Sequence, residues 1–597
     1  MKADRTNEPV PLAFLLEIDA ALMPIASSGN PLNEAVHGAL IKGFSELMET
    51  LGIPGEPVVE IKPLPGPSGA RFMRFTVGGQ ILHYPDEVLR SVYCWLTGTP
   101  IRVDIASDGM LVEMMASVGR ASEPDVLEDE RQKIASLLSQ ISLAIIKLQP
   151  SVMLGESQLA AYVASLPVPE MKEPKRWPPD RDWLSPILRK ALRLRISIAD
   201  KSAVAETLAQ CVGMPVLKAC EILVDVLRPD AVEIHVEKEY LRELTTSLAE
   251  SSTGPFTGLR DGMFAELGIS YPAFRLVPET GLAPRQFMFK LNHLTCVPQV
   301  GLGPEECQVN ETPVKLKLLD ITGTAAGNPA SELPNSITNL KHKSVLEASG
   351  YTTWDQMGYL MLSLAAMLRG NGDCFVSRRF VEGQLEQLEK AFPALVGATR
   401  SMGSVEELTA VLRNLAAEQI SLQNLRLILE RLLDYQLRND SGGPVLLDDA
   451  APVWKVKQVV PEDHVAELTR FVRQGMKRQI SGKYARRTDT IVVYLMDQAI
   501  EKVLSARTSG EGAATSDSAS EEEQNVKTLD AVRNEIRYLP PAAQLPCILT
   551  TSDIRAQLRD MIAPEFPRIP VIAYDEILPS SNIQPIARIS WSVQANA

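Results

Sequence analysis

The sequence predicts an α+β protein of several subdomains: small mixed α/β units and helical subdomains, arranged as two tandem related modules and followed by a C-terminal α/β unit. Three observations lead there. Two stretches of alternating apolar residues, FLLEID at 14–19 and DAVEIH at 230–235, read as strands and open the same order of elements. In both, a Leu-Gly-Ile triplet starts 34 residues after the strand's Glu, at Leu51 after Glu17 and at Leu267 after Glu233. Further on, ILRKALRLRISIADKSAVAETL (187–208) aligns without a gap with VLRNLAAEQISLQNLRLILERL (411–432). The offset grows only from 216 (Glu17 to Glu233) to 224 (Ile196 to Ile420). Two amphipathic helices can resemble each other by chance, but a collinear series is a tandem duplication.

The elements follow in order. IKGFSELMET and RDGMFAEL are helices that end where Gly52 and Gly268 can take the left-handed conformation of a C-cap. Extended segments with Pro54 or Pro272 lead to the strands RFMRFTV (71–77) and QFMFKLN (286–292). QISLAIIKLQ and MLSLAAMLRG have helical period, and Ser197 and Ser421 are candidate N-caps of the helices behind them. Residues 436–456 form a turn-rich connector. Beyond it come the helix VAELTRFVRQGMKRQI, the strand DTIVVYLM (489–496) and another helix. The acidic, low-complexity stretch 508–525 reads as a disordered excursion. A helix near 526–537, the strand PCILT, the helix SDIRAQLRDMIA and the strand IPVIAY complete an alternating α/β unit.

Length and composition set the function classes. At roughly 100–200 residues per domain, 597 residues make about four compact units. An apolar content of 45%, a charged content of 22% and a mean hydropathy of -0.01 are those of a globular protein. The net charge of -14 opposes general nucleic-acid binding and anionic membrane surfaces. No apolar run approaches the roughly 18 residues a spanning helix needs, and no secretory signal is readable at the N-terminus. These features predict a cytoplasmic protein without membrane insertion. Cys94, Cys211, Cys220, Cys296, Cys307, Cys374 and Cys547 contain no C-x-x-C pair and read as buried thiols.

No short motif of catalysis is present: no P-loop, no G-x-S-x-G and no H-E-x-x-H. RGNGDC (369–374) follows a helix rather than a strand and reads as a C-cap and turn. The six histidines never reach metal-ligand spacing, and the acidic pairs at 128–131 and 448–451 suit loops or helix starts. The basic cluster Arg473, Lys477, Arg478, Lys483, Arg486 and Arg487 carries one aromatic, Tyr484, too little for a base-stacking platform. Arg473 and Lys477, at i and i+4, read as a solvated face. The helical hairpins are too apolar for a helix-turn-helix reader. The residues therefore predict no enzyme, no cofactor, no metal and no nucleic acid.

Four stretches resemble a known family. LRNLAAEQISLQNLRLILERLLDY (412–435) is similar to the helical subdomain of the FHIPEP family, export-gate proteins of flagellar and virulence type III secretion systems. Residues 548–589 resemble that family's ending, with a Pro-Val-x-x-Tyr-x-Glu-Ile signature at Pro570, Val571, Tyr574, Glu576 and Ile577. SGYTTWDQMGYLMLSLAAMLR and LEQLEKAFPALV are similar to its second subdomain and its entry to the third. The likeness covers about 231–597, and residues 12–228 resemble the same module more weakly.

The resemblance implies five segments: a degenerate first copy (1–228), an α/β subdomain (229–343), a second subdomain (344–400), a helical subdomain (401–440) and a C-terminal α/β subdomain (441–597). The family's transmembrane half is absent, so proton-coupled export does not carry over. What carries over is a docking platform for export chaperones and secreted substrates that works with other secretion apparatus proteins, cytoplasmic or peripheral to the inner membrane, and self-assembled in a ring. The runner-up is a freestanding adaptor or regulator reusing the module. The implied docking groove is apolar, and its nearest matching positions are Leu362, Phe375, Phe392, Leu395 and Val396, all of which also suit a core.

Overall fold

A computed structural model describes residues 10–19, 31–65, 73–85, 88, 136, 138–169, 177–228, 231–248, 255–330, 333–440, 461–485, 489–508, 518–537 and 546–591. Cys94, Arg486, Arg487 and the acidic pairs at 128–131 and 448–451 lie outside the described residues. The chain divides into two compact units, residues 1–262 with 271–368, and residues 263–270 with 369–597.

In the first unit, strand β1 (Pro11–Ile18) lies at the centre of a sheet of order β2-β1-β3-β4, with β2 at Glu56–Pro63, β3 at Met73–Val77 and β4 at Gln80–Leu82. β2 runs parallel to β1 and β3 antiparallel. Alternation puts Leu12, Phe14, Leu16 and Ile18 inward. They meet Val36, Leu40, Phe44 and Leu47 of helix α1 (Pro31–Leu51), and the Phe14 and Phe44 rings stack at 4.4 Å. Helix α2 (138–148) and helix α3 (Glu156–Ser165) follow. Next come α4 (Arg181–Arg193), α5 (Lys201–Cys211) and α6 (Val216–Leu227), packed on the same apolar core.

The second module repeats the pattern. β5 (Val232–Glu237) pairs parallel with β6 (Phe274–Glu279) and antiparallel with β7 (Gln286–Leu291), and β8 (Leu294–Thr295) and β9 (Gln299–Val300) pair with β7. Helices α7 (Lys238–Leu248) and α8 (Pro255–Leu267) connect β5 to β6. Even the cross-strand ion pair recurs: Arg74 to Glu17 at 3.4 Å in one copy, Lys290 to Glu233 at 3.3 Å in the other. A second small sheet follows, of order β11-β12-β10-β13, from β10 (Glu306–Val309), β11 (Thr324–Gly327), β12 (Pro334–Asn339) and β13 (Thr353–Trp354). Helices α9 (Pro313–Leu316) and α10 (Lys343–Ala348) belong to it. Helix α11 (Gln356–Gly370) comes next.

The second unit continues with α12 (Arg378–Glu389), α13 (Pro393–Met402), α14 (Val405–Ala417) and α15 (Leu425–Asp440). The buried stripe of α14 (Leu408, Val411, Leu412, Leu415, Ala416) matches that of α4 (Leu184, Ile187, Leu188, Ala191, Leu192) position for position. Arg413 donates to the Val376 carbonyl at 2.7 Å, as Arg189 does to that of Leu154 at 3.0 Å. Each helix ends on a left-handed non-glycine residue, Arg195 (φ 62°) or Gln419 (φ 57°), and the next N–H reaches back five residues, Ile196 to Ala191 and Ile420 to Leu415.

That helix end explains the repeated sentence in the sequence. Ile198 N–H donates to the Leu51 carbonyl at 2.9 Å, and Leu422 N–H to that of Leu267 at 2.8 Å. A Cβ on Gly52 (φ 78°) would lie 2.4 Å from Ala199 backbone, and one on Gly268 (φ 72°) 2.6 Å from Gln423 N. The two serines are not N-caps. Asp200 caps α5 by accepting from Ala203 N, and Asn424 accepts from Leu427 N, because each serine sits three residues too early. Ser197 Oγ instead accepts from Ala199 N and donates to Thr50 O, and Ser421 Oγ accepts from Gln423 N.

The C-terminal part is a wholly parallel sheet of order β16-β15-β14-β17, with β14 at Thr490–Met496, β15 at Cys547–Thr550, β16 at Val571–Ala573 and β17 at Asn582–Ile589. The helix expected from VAELTRFVRQGMKRQI is two helices, α16 (Pro461–Gly475) and α17 (Lys477–Ala485). α18 (Gln498–Thr508), α19 (Ser518–Arg537) and α20 (Arg555–Ile562) complete the unit. The expected excursion at 508–525 is corrected at its end: 518–525 is the first part of α19, and 509–517 lie outside the described residues. Arg507 holds that turn of helix through Asn525 Oδ1 (2.8 Å) and Gln524 Oε1, which outweighs its acidic composition.

Candidate partner-docking surface

The second small sheet is built over a core of Val309, Leu316, Ile321 and Leu346, against which Tyr351 packs. Helix α9 is one turn long, because Pro313 starts it and the following turn at 317–319 closes on Asp320 in the left-handed conformation. Such a segment anchors one apolar side chain and displays the rest. Leu316 is buried, while Val314 is 75% and Leu318 84% exposed. On α10, Leu346 is buried and Val345 is 53% exposed. Val314 on α9, Leu318 on the turn after it and Val345 on α10 are thus three exposed apolar side chains of one small subdomain, candidates for contact with a partner.

Charged residues lie in the same subdomain. Lys315 and Lys317 are exposed, and Lys315 Nζ lies 2.9 Å from Glu311 Oε2. Lys343 pairs with Asp355 at 3.0 Å. Burial pushes the Asp355 carboxyl up, but the Gly358 N–H and Lys343 outweigh it and hold it below the usual range. This lock joins α10 to the start of α11.

The sequence-predicted groove residues are distributed as follows. Leu362 is half-buried on α11 in the first unit. The other four belong to the second unit, where Phe375 and Val396 are buried and Phe392 and Leu395 are half-buried. The Arg426 guanidinium covers the Phe392 ring at 4.6 Å. Val314, Leu318 and Val345 were missed; Val314 and Leu318 lie in PVKLKLLD (313–320), whose apolar positions are too many for one turn to bury, while Val345 carries no such signal.

The basic cluster is corrected. Arg473 is not on a solvated face: it is buried, donating from Nε and Nη2 to the Glu576 carboxylate at 2.6 and 2.8 Å and from Nη1 to Glu418 at 3.0 Å. Arg555 Nη1 completes the network on Glu418 at 2.7 Å. The i, i+4 spacing with Lys477 concealed this, because both acids lie far away in sequence. Burial pushes the Glu418 carboxyl up, but Arg473 and Arg555 hold it well below the usual range. The network joins the end of α14 to α16, α20 and the Tyr574–Glu576 turn, and it pairs two guanidinium groups with two carboxylates. Among the described residues, no group of three His, Cys, Asp or Glu side chains could hold a metal ion. Cys211, Cys220, Cys307, Cys374 and Cys547 are buried and Cys296 half-buried.

With this geometry in hand, comparisons supply the relatives. The FHIPEP family profile matches residues 199–582. The low calcium response locus protein D of Yersinia pestis is 25% identical over 331 residues, 55% of this chain and 44% of that protein. The flagellar biosynthesis protein FlhA of Treponema pallidum is 25% identical over 341 residues, 55% of this chain and 43% of that protein. The chain thus spans under half the length of these relatives. Among solved structures, the Chlamydia pneumoniae CdsV protein is similar with a TM-score of 0.50 and 26% identity, covering 60% of this chain and 98% of that one. Among the described residues, no helix is long and apolar enough to cross a membrane.

Proposed function

The chain belongs to the FHIPEP family, and from that membership we propose that it is a non-enzymatic component of a type III protein secretion export apparatus, a docking platform for chaperone–substrate complexes. The observation that carries the reading is the matched stretch itself, which takes in the small subdomain whose Val314, Leu318 and Val345 are displayed to solvent. A rigid scaffold with an apolar surface and paired internal charges suits binding rather than chemistry. The positions expected from sequence that lie in the second unit, Phe375, Phe392, Leu395 and Val396, are the alternative docking position. Ring assembly, location in the cytoplasm or at the inner-membrane periphery, and contact with other apparatus proteins belong to the same proposal.

A freestanding adaptor is the second reading, favoured by the first module, most of which precedes the family match. Affinity capture from native cells separates the two. Recovery of export chaperones and apparatus proteins supports the first reading, and recovery of neither leaves the adaptor.

A further inference from the structure

Each module ends α4 or α14 on a pair of carbonyls, and the two ends are covered differently. In the second module Lys483 Nζ reaches Glu418 O at 3.3 Å and Gln419 O at 2.8 Å, and Gln479 Nε2 reaches Ser421 O at 3.0 Å. Both donors come from the C-terminal α/β unit. The first module has no such unit. Its corresponding carbonyls are taken by the β7–β8 turn of the second module: Asn292 Nδ2 donates to Leu194 O at 3.1 Å and His293 N to Arg195 O at 3.1 Å. Leu294 joins the first module's apolar core, and Lys147 donates to Thr295 Oγ1 at 2.8 Å.

One bond across this junction runs the other way. The Ser197 N–H donates to His293 Nδ1 at 3.1 Å. A backbone N–H can only donate, so Nδ1 must carry a lone pair and the ring must be neutral. We propose that the Asn292–His293 turn is a latch between the two modules, closed while His293 is neutral and released when it is protonated. Protonation replaces an acceptor with a donor facing a donor and leaves the Ser197 N–H without its partner.

The surroundings disfavour the charged ring. Burial lowers the His293 proton affinity below its ordinary value, and Lys290 on β7 lowers it further. The other charged or titratable groups about the turn are Arg195 at the helix end, Lys147 on α2, Cys296 beside both, and Glu233, which pairs with Lys290. A depressed folded value makes the junction complete above the ordinary imidazole pKa of 6.5 and weakens it as the pH falls through the lower folded value.

The test is peptide-resolved hydrogen exchange on the full chain across residues 194–198, corrected for intrinsic rates, between about pH 7.5 and about pH 5. The expected result is loss of Ser197 protection as the pH falls below the ordinary imidazole value, approaching a factor of about ten per pH unit until the lower folded value is reached. His293→Asn places a non-titrating carbonyl acceptor, Oδ1, at the position of Nδ1 and should abolish the pH dependence while keeping protection. Protection that is independent of pH in the native chain, or equally pH-dependent in His293→Asn, overturns the proposal. His293→Ala guards against misreading a folding defect: it should lower protection at every pH with the far-ultraviolet circular dichroism unchanged.

Discussion

Arg473 and Glu576 face each other through two parallel hydrogen bonds of 2.6 and 2.8 Å, with both side chains 1% exposed. Removing one partner strands the other's charge in the interior. Arg473→Met and Glu576→Gln should each cost roughly 3–5 kcal/mol, whereas an apolar replacement of both should cost less than the sum of the two. Urea unfolding of the three variants measures this. Additive losses would show that the pair is not coupled.

Glu418 adds a pH signature. Its carboxyl is pushed up by burial and held low by Arg473 and Arg555. A folded value below the unfolded one contributes stability that is complete above the ordinary carboxylate value of 4.5 and is lost as the pH falls through the folded value. Unfolding midpoints should therefore decline in acid for the native chain. Glu418→Gln should start lower and show a shallower decline.

Gly52 and Gly268 test the duplication. Both take positive φ, and at both a Cβ would meet the backbone of the loop that follows α4 or α14 in the same module, not a movable side chain. Gly52→Ala and Gly268→Ala should each cost at least about 2 kcal/mol, from a left-handed alanine plus displacement of the Ile198–Ala199 or Leu422–Gln423 segment. Gly79, at φ 88° with open space around it, is the comparison: Gly79→Ala incurs the conformational cost alone.

These positions also show what could be read beforehand. The paired strands, the Leu-Gly-Ile ends and the stripes of α4 and α14 were legible, because each repeats a short period of apolar residues set by the local backbone. The sheet of β10 to β13 was not. Its strands run two to six residues and bury Gln308, Asn335 and Ser336, so no alternation of apolar residues survives. Glu576 was legible as part of a family signature, but its partnership with Arg473 was not, since burial of a charge depends on residues distant in sequence. Tyr574, two residues earlier in the signature, is 50% exposed.

The position of docking is decided by comparing two surfaces. Val314→Asp with Leu318→Asp places charge where apolar side chains are exposed, so the melting temperature should stay within a few degrees while binding of a purified export chaperone–substrate complex falls at least about tenfold. Leu316→Ala, in the core beneath, should instead cost about 2–5 kcal/mol. Phe392→Asp with Leu395→Asp probes the groove positions expected from sequence, where Arg426 already covers the Phe392 ring. Loss of binding in this second pair alone moves the docking site to the second unit. Loss in the first pair alone assigns it to α9 and its following turn, where Val314 and Leu318 are exposed.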